Sequence, residues 1–198
     1  YMNFAEKSAI VTGAAVGIGR AVSHKLALLG ANLSLIDVNE KGLAELKKEL
    51  EKYGVSVLTF VCDVSKEEQV KKAVEETVNS FGSIDTLINN AAVWRDMVNF
   101  TESSTELWQR YWNINVMGTV YFTRYVIPRM IEKGYGKIVN VASVAGVYGN
   151  KGMSHYSATK AALIAFTKSL AKEVSDKGVC VNCVSPGTVS PANVLDMG

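Results

Sequence analysis

Tyr156 and Lys160 stand four residues apart in the stretch SHYSATKAAL, with His155 directly before the tyrosine. The stretch has helical character, and on a helix positions i and i+4 share a face, so a phenol and an ammonium come to the same side one turn apart. An unperturbed tyrosine titrates near about 10 and is a poor base at neutral pH, whereas an adjacent cation favours the phenolate and lowers that value. Such a pair is suited to passing a proton to or from a substrate oxygen. Taken alone it says little, because tyrosine and lysine often share a helix surface by chance.

A second group of residues points to a bound phosphate. TGAAVGIG carries Gly13, Gly17 and Gly19 between an apolar run and a helical pattern. Glycines in a strand-to-helix turn let the backbone approach a pyrophosphate, and the helix N-terminus offers free N–H groups. Asp37 ends the next apolar run some 20 residues on, the spacing at which a carboxylate accepts from ribose hydroxyls. Its competing role is to cap the following helix together with Asn39. Two other constellations fail. Ser143 with His155 suggests a hydrolase, but VASVA is not a nucleophile elbow, and on a helix His155 points about 100° away from Tyr156, which makes it a flank of the site. Cys180-Val-Asn-Cys183 resembles half a metal site, but in a buried strand residues three apart face opposite ways, and no further ligands are suitably spaced; no metal is expected.

The elements that must hold these residues alternate along the chain. Lys7 to Thr12 reads as a strand and Gly17 to Leu29 as a helix with its apolar face at Ile18, Val22, Leu26 and Leu29. ANLSLID is the second strand, and the helix after it turns Leu43, Leu46, Leu50 and Tyr53 inward. VSVLTFVCDV is followed by Ser65-Lys-Glu-Glu68, a capping-box pattern opening a helix to about Phe81. IDTLINN, GKIVNVAS and GVCVNCVS supply three more strands, separated by a long helical stretch from about Thr105 to Glu132 that contains Pro128 and by the helix of Tyr156. Apolar strands each followed by an amphipathic helix predict a doubly wound parallel α/β sheet in one domain spanning 1–198, with ligands at the carboxyl ends of the strands.

Composition narrows the function classes. The chain has 198 residues, 48% of them hydrophobic, and a formal charge of +2, too near neutral to suggest nucleic acid. There is no apolar run of membrane-spanning length and no signal-peptide pattern, so a cytoplasmic protein without membrane partners is expected. Tyr1 ahead of Met2 suggests Met2 as the natural first residue.

Over almost its whole length the sequence resembles the short-chain dehydrogenase/reductase family. TGAAVGIG matches the family's TGxxxGxG, Asp63-Val64 its acidic position before the adenine pocket, and Asn89-Asn90-Ala91-Ala92 its NNAG. Asn115, Ser143, and Tyr156 with Lys160 match its catalytic Asn, Ser and YxxxK, and Pro186-Gly187 its PG. The resemblance implies a Rossmann-like fold, a homotetramer, and oxidoreduction of a small alcohol or carbonyl compound. By the same resemblance Tyr156 is the acid and base, Lys160 also holds the nicotinamide ribose, Ser143 fixes the substrate oxygen and Asn115 positions a relay water. The cofactor is expected along Gly13, Ala15, Val16, Gly17, Ile18, Asp37, Asp63, Val64, Asn90, Ala91, Ala92, Pro186, Gly187 and Val189. Two positions depart from the pattern: Ala92 stands for a glycine, and Pro191 for a threonine that commonly contacts the carboxamide.

Asp37 would repel a 2′-phosphate and the loop has no arginine to bind one, so NAD(H) is expected over NADP(H), which remains possible. The substrate is expected against Trp94, Ala145 and Met153, near Val93, Val147 and Tyr148, and beside Ser143 and Tyr156. The opening MNFAEKSAIVTGAAVGIGRA is similar to bacterial 3-oxoacyl-(acyl-carrier-protein) reductases, which usually take NADPH; a non-catalytic dinucleotide sensor is the reading of another class. Family members usually continue past the PG motif through a lid and a seventh strand, so a longer natural chain is expected, with SPANVLDMG faintly resembling a closing strand.

Overall fold

A computed structural model describes residues 4–189. Pro191, the SPANVLDMG stretch and Tyr1-Met2 lie outside the described residues. Six parallel strands form one sheet: β1 (Ser8–Thr12), β2 (Asn32–Asp37), β3 (Val57–Val61), β4 (Thr86–Asn89), β5 (Gly136–Val141) and β6 (Val179–Val184). Their spatial order is β3-β2-β1-β4-β5-β6, so the winding reverses between β1 and β4. Among the described residues seven α-helices connect them: α1 (Gly17–Leu28), α2 (Glu40–Glu51), α3 (Glu67–Phe81), α4 (Thr105–Tyr111), α5 (Gly118–Lys133), the short α6 (Ala145–Tyr148) and α7 (Ser154–Val174).

Strand alternation divides the interior in two. Ile10, Ile36, Leu87 and Ile138 pack with Val70, Val74, Phe122 and Val126 on the face covered by α3 and α5. Their strand neighbours Val11, Leu35 and Ile88 pack with Leu26, Leu43, Leu46 and Leu50 on the face covered by α1 and α2. Because successive side chains point to opposite faces and both faces are covered, the strands are apolar nearly throughout.

A polar ladder crosses the first of these layers. The Asn89 amide donates to Asn140 Oδ1 (2.9 Å) and Thr123 Oγ1 (3.2 Å), and the Asn140 amide donates to Thr167 Oγ1 (2.9 Å) on α7. All four residues are buried, so the ladder ties β4, β5, α5 and α7 together where no water competes.

Several local expectations change. The buried side of α1 is Gly19, Ser23, Leu26 and Ala27; of the four expected residues only Leu26 is fully buried, because the glycine-rich face lets the helix sit closer to the sheet. Tyr53 follows the end of α2 and is exposed. No capping box opens α3, since Ser65 donates through both its N–H (2.9 Å) and its hydroxyl (2.7 Å) to Asp63 Oδ1 and the cap position falls to Lys66. The long helix is broken after α4 by a π-helical turn over Trp112–Met117, while Pro128 is accommodated within α5. Among the described residues strand β6 lies at the sheet edge, with Val179 and Val181 buried and Cys180 and Asn182 exposed.

The amino ends of the sheet are closed by Asp85, whose side chain is 1% exposed. One carboxylate oxygen accepts the Ser8 N–H (3.0 Å), and the other meets Lys133 (2.7 Å) and Lys7 (3.5 Å). Burial alone would raise this carboxyl, but the bonds from Lys133 and Ser8 and the two lysine charges outweigh it and hold it below the usual aspartate range. A depressed acid contributes stability above its unfolded value and loses it as pH falls through the folded one. Asp85→Ala should therefore cost about 2 kcal/mol at pH 7, moderated because both lysines can return to water. Urea midpoints of parent and variant should converge as pH drops below about 4. A constant difference down to pH 2 would exclude the linkage.

Candidate active site

The glycine turn after β1 is shaped by contacts that leave no room for side chains. A Cβ on Gly19 would lie 2.1 Å from the Gly13 carbonyl oxygen, and one on Gly13 would lie 2.9 Å from Ala91 Cα. Gly17 has φ 57° with nothing near its Cβ direction, so its constraint is backbone conformation and its surroundings are open. Val16, the cap position of α1, provides no side-chain bond to the first helical N–H groups. An uncapped helix start behind a glycine turn suits an anion.

Three neighbouring strands fix this turn. From β1, Thr12 Oγ1 accepts the N–H groups of Asn90 (2.9 Å) and Ala91 (3.0 Å). From the end of β4, the Asn90 amide donates to the carbonyls of Thr12 (2.9 Å) and Gly13 (3.1 Å). At the end of β2, Asp37 accepts the Ala15 N–H through one oxygen and the Asn39 N–H through the other, both at 3.0 Å. The cap of α2 is Asn39, which accepts from Gly42 N–H, so Asp37 does not take the alternative role of capping that helix. Ala92 has an ordinary negative φ, which explains why alanine fits there without strain. At the end of β3, Asp63 holds Ser65, while the Val64 side chain is buried against Gly118, leaving its backbone as the part able to meet a ligand. Pro186 accepts the Val144 N–H through its carbonyl (3.1 Å), which ties the chain after β6 to the segment that follows β5; Gly187 and Val189 are exposed.

Ser143, Tyr156 and Lys160 lie together at the end of β5 and the start of α7, and Asn115 reaches the same helix through Thr159. Tyr156 and Lys160 lie on successive turns of α7, with the lysine nitrogen 5.7 Å from the tyrosine ring centre. Lys160 is 2% exposed and donates to the Val141 carbonyl at 2.7 Å, which ties α7 to the end of β5. Burial brings the Lys160 ammonium down to about 8, with Cys183 acting in the opposite direction. Tyr156 differs from expectation: burial raises its phenol, and the compensating influence is a hydrogen bond with Ser143 rather than the lysine charge. The ammonium is turned toward Val141, which explains the difference. Ser143 Oγ also accepts the Ala145 N–H (3.1 Å).

Asn115 lies in the π-helical turn and is fully buried. Its oxygen accepts the Val93 N–H (2.8 Å), and its amide donates to the Val93 carbonyl (3.0 Å) and to Thr159 Oγ1 (3.1 Å). Thr159 in turn donates to the Tyr156 carbonyl (2.7 Å). The amide is therefore spent on the protein itself, joining the loop after β4 to the first turns of α7.

Of the expected substrate wall, Trp94, Val147 and Tyr148 face solvent and Met153 is half-buried. Ala145 is buried and packs inward, because α6 presses so closely on α7 that a Cβ at Gly146 would come within 2.6 Å of the Lys160 carbonyl carbon. His155 is also fully buried, with Nε2 3.2 Å from the Asp96 carbonyl, and is no mere flank. Thr12, Asp96, Tyr111 and Thr159 escaped the sequence reading. Thr12 opens the glycine motif and could have been found there; the others have no spacing signal.

The sequence matches the family described as short chain dehydrogenase over residues 7–196. It is 39% identical over 188 residues to a 3-oxoacyl-(acyl-carrier-protein) reductase of Thermotoga maritima, covering 95% of this chain and 76% of the relative. It is 40% identical over 185 residues to 2-dehydro-3-deoxy-L-rhamnonate dehydrogenase (NAD(+)) of a Sphingomonas species, covering 93% and 73%. Among solved structures, NAD+-bound xylitol dehydrogenase superposes with a TM-score of 0.93 at 35% identity, over 99% of this chain and 75% of that one. L-Sorbose reductase from Gluconobacter frateurii, complexed with NADPH and L-sorbose, gives 0.93 at 36%, over 99% and 74%. With the glycine turn, the buried lysine and the tyrosine already grouped at one end of a doubly wound sheet, these likenesses are decisive: the chain belongs to the short-chain dehydrogenase family of oxidoreductases.

Proposed function

We propose that the protein interconverts a small alcohol and its carbonyl compound with NAD(H), and that Tyr156 moves the proton. The observation that carries this reading is the grouping of Ser143, Tyr156 and Lys160 beyond the carboxyl end of β5, next to the switch point between β1 and β4. A dinucleotide fits the residues on that side. The open turn at Gly17 and the uncapped start of α1 suit its pyrophosphate, Asp37 suits a ribose diol, and Asn90 to Ala92 with Pro186 to Val189 suit the nicotinamide end. When bound, the nicotinamide ring supplies or accepts the hydride.

In the reducing direction the phenol, kept protonated by burial, donates its proton to the carbonyl oxygen as the carbon is reduced. Ser143, beside the same phenol and fixed by the Ala145 N–H, orients that oxygen. Lys160, charged below about pH 8, stands one turn beyond the phenol with its nitrogen 5.7 Å from the ring centre, held there by the Val141 carbonyl. In the oxidising direction Tyr156 must first lose its proton, so alkaline pH favours that direction. Intact Asn115, Ser143, Tyr156 and Lys160 favour an enzyme over a dinucleotide sensor.

NAD(H) is preferred in this reading because Asp37, fixed by the Ala15 and Asn39 N–H groups, places negative charge where a 2′-phosphate would sit. The NADPH complex of L-sorbose reductase keeps NADP(H) in view. Relatives that act on xylitol, L-sorbose and diacetyl support a small polyol or ketone. Likeness to the Thermotoga maritima enzyme supports a second reading, reduction of 3-oxoacyl thioesters. A cytoplasmic homotetramer is the expected setting, on family resemblance. A panel of diacetyl, L-sorbose, xylitol and a 3-oxoacyl thioester, followed by NADH and NADPH absorbance, separates these readings.

Tyr156→Phe should lower turnover about 100-fold or more with NADH affinity nearly unchanged, the scale of a lost general acid; activity within a fewfold of the parent would remove the phenol from the mechanism. Asp37→Ala should shift kcat/KM toward NADPH by about tenfold or more, since one repulsion and one pair of ribose bonds disappear together. A parent that already prefers NADPH would overturn the cofactor assignment.

A further inference from the structure

Asp96 is held through its N–H, its carbonyl and one carboxylate oxygen. Its N–H donates to the Tyr111 hydroxyl (3.1 Å), and that hydroxyl donates to Asp96 Oδ2 (2.8 Å). Its carbonyl lies 3.2 Å from His155 Nε2, and Arg110 reaches the same Oδ2 at 3.4 Å. A carbonyl only accepts, so Nε2 carries the proton, consistent with Nδ1 being buried without a partner. The two rings that hold Asp96 also hold each other: Tyr111 and His155 are fully buried and meet edge to face with centres 4.3 Å apart. Burial, and then the Asp96 carboxylate, push the Tyr111 phenol up to about 12 despite the opposing Asp96 N–H bond, so it stays a donor.

Val93 is fixed by both backbone groups to Asn115, and the Val98 N–H donates to the Gly152 carbonyl (2.8 Å). Between the holds at 93 and 96 stand only Trp94, which is 55% exposed, and Arg95, whose guanidinium lies 5.3 Å from the indole centre. They border a shallow pocket of about 220 Å³ shared with Val93, Asp96 and Arg110. Both gripping residues adjoin the proposed proton donor: His155 precedes Tyr156 in α7, and the Tyr111 ring centre is 6.4 Å from that of Tyr156.

We propose that Tyr111 and His155 are positioning residues for the substrate, gripping Asp96 so that the Trp94–Arg95 tip of the β4–α4 loop stands at a fixed place relative to Tyr156. Neither ring needs to touch the reacting atoms. The grip acts on where the substrate rests, while the proton and hydride chemistry is left to the groups already described; the inference rests on the proposed reaction.

The test combines amide hydrogen exchange with kinetics on diacetyl and NADH, using Tyr111→Phe, His155→Phe and the donor-restoring His155→Gln. Tyr111→Phe keeps the buried ring and removes only the oxygen, and Asp96→Asn, at a side chain 39% exposed, weakens the same grip without touching the core. Tyr111→Phe should speed exchange of the Asp96 amide about tenfold or more while Leu87 and Ile88 keep their protection, as expected for one lost hydrogen bond. KM for diacetyl should rise about fivefold to tenfold in Tyr111→Phe, His155→Phe and Asp96→Asn, with kcat and NADH affinity within about twofold, and His155→Gln should recover much of the loss. Unchanged exchange at Asp96 would overturn the grip. Faster exchange with unchanged KM, or kcat and NADH affinity falling together with KM, would reduce both residues to structural ones. A parent inactive on diacetyl would count against that substrate class, whereas exchange would still judge the grip.

Discussion

One buried carboxamide sets the relation between the parts of this site. Asn115 satisfies both backbone groups of Val93 and donates to Thr159, and it does so from a π-helical turn. A regular α-helix from Thr105 onward would carry residue 115 to a different azimuth, because each residue advances the helix by about 100°. The wider turn, a feature often found at functional sites, lets one amide serve the end of the cofactor-side loop and the tyrosine-bearing helix at once. Its bonds are made where water cannot replace them, so losing one leaves buried groups unpaired.

The buried Lys160 has a similar economy. An ammonium 2% exposed donates to the backbone at the Val141 carbonyl, and burial brings it down to about 8. That arrangement fixes α7 to β5 and keeps a titratable cation close to the phenol, with no carboxylate paired to it among the described residues. Tyr156 itself is raised by burial, so the apparent base of the sequence motif is by default an acid.

Legibility in the sequence followed the physical origin of each feature. The alternation of strands and helices could be anticipated because each leaves its own period in the apolar residues, and the glycine turn because a missing Cβ is written directly as glycine. Asp37 stood out by its spacing from the glycine turn and Ser143, Tyr156 and Lys160 as a family pattern, although the direction of the Tyr156 shift did not, since spacing along a helix does not tell where a lysine nitrogen points. The apparent capping box failed because Ser65 had a nearer acceptor in Asp63. The π turn, the hold on Asp96 and the burial of His155 depend on contacts between residues 15 to 59 positions apart, for which no local pattern exists.

The polar ladder beneath the site has a consequence for how such a protein can diversify. Thr167, bonded to Asn140, lies two turns along α7 from Lys160 on the same buried face, so the interior indexes the helix about its own axis. An index pin of this kind tolerates no partial rotation: the helix is seated or it is not. The loop after β4 is fastened only at points, with exposed side chains between them. Drift in sequence can then remodel the mouth of the site freely while the phenol keeps its bearing, which makes the scaffold a fixed instrument with an exchangeable front.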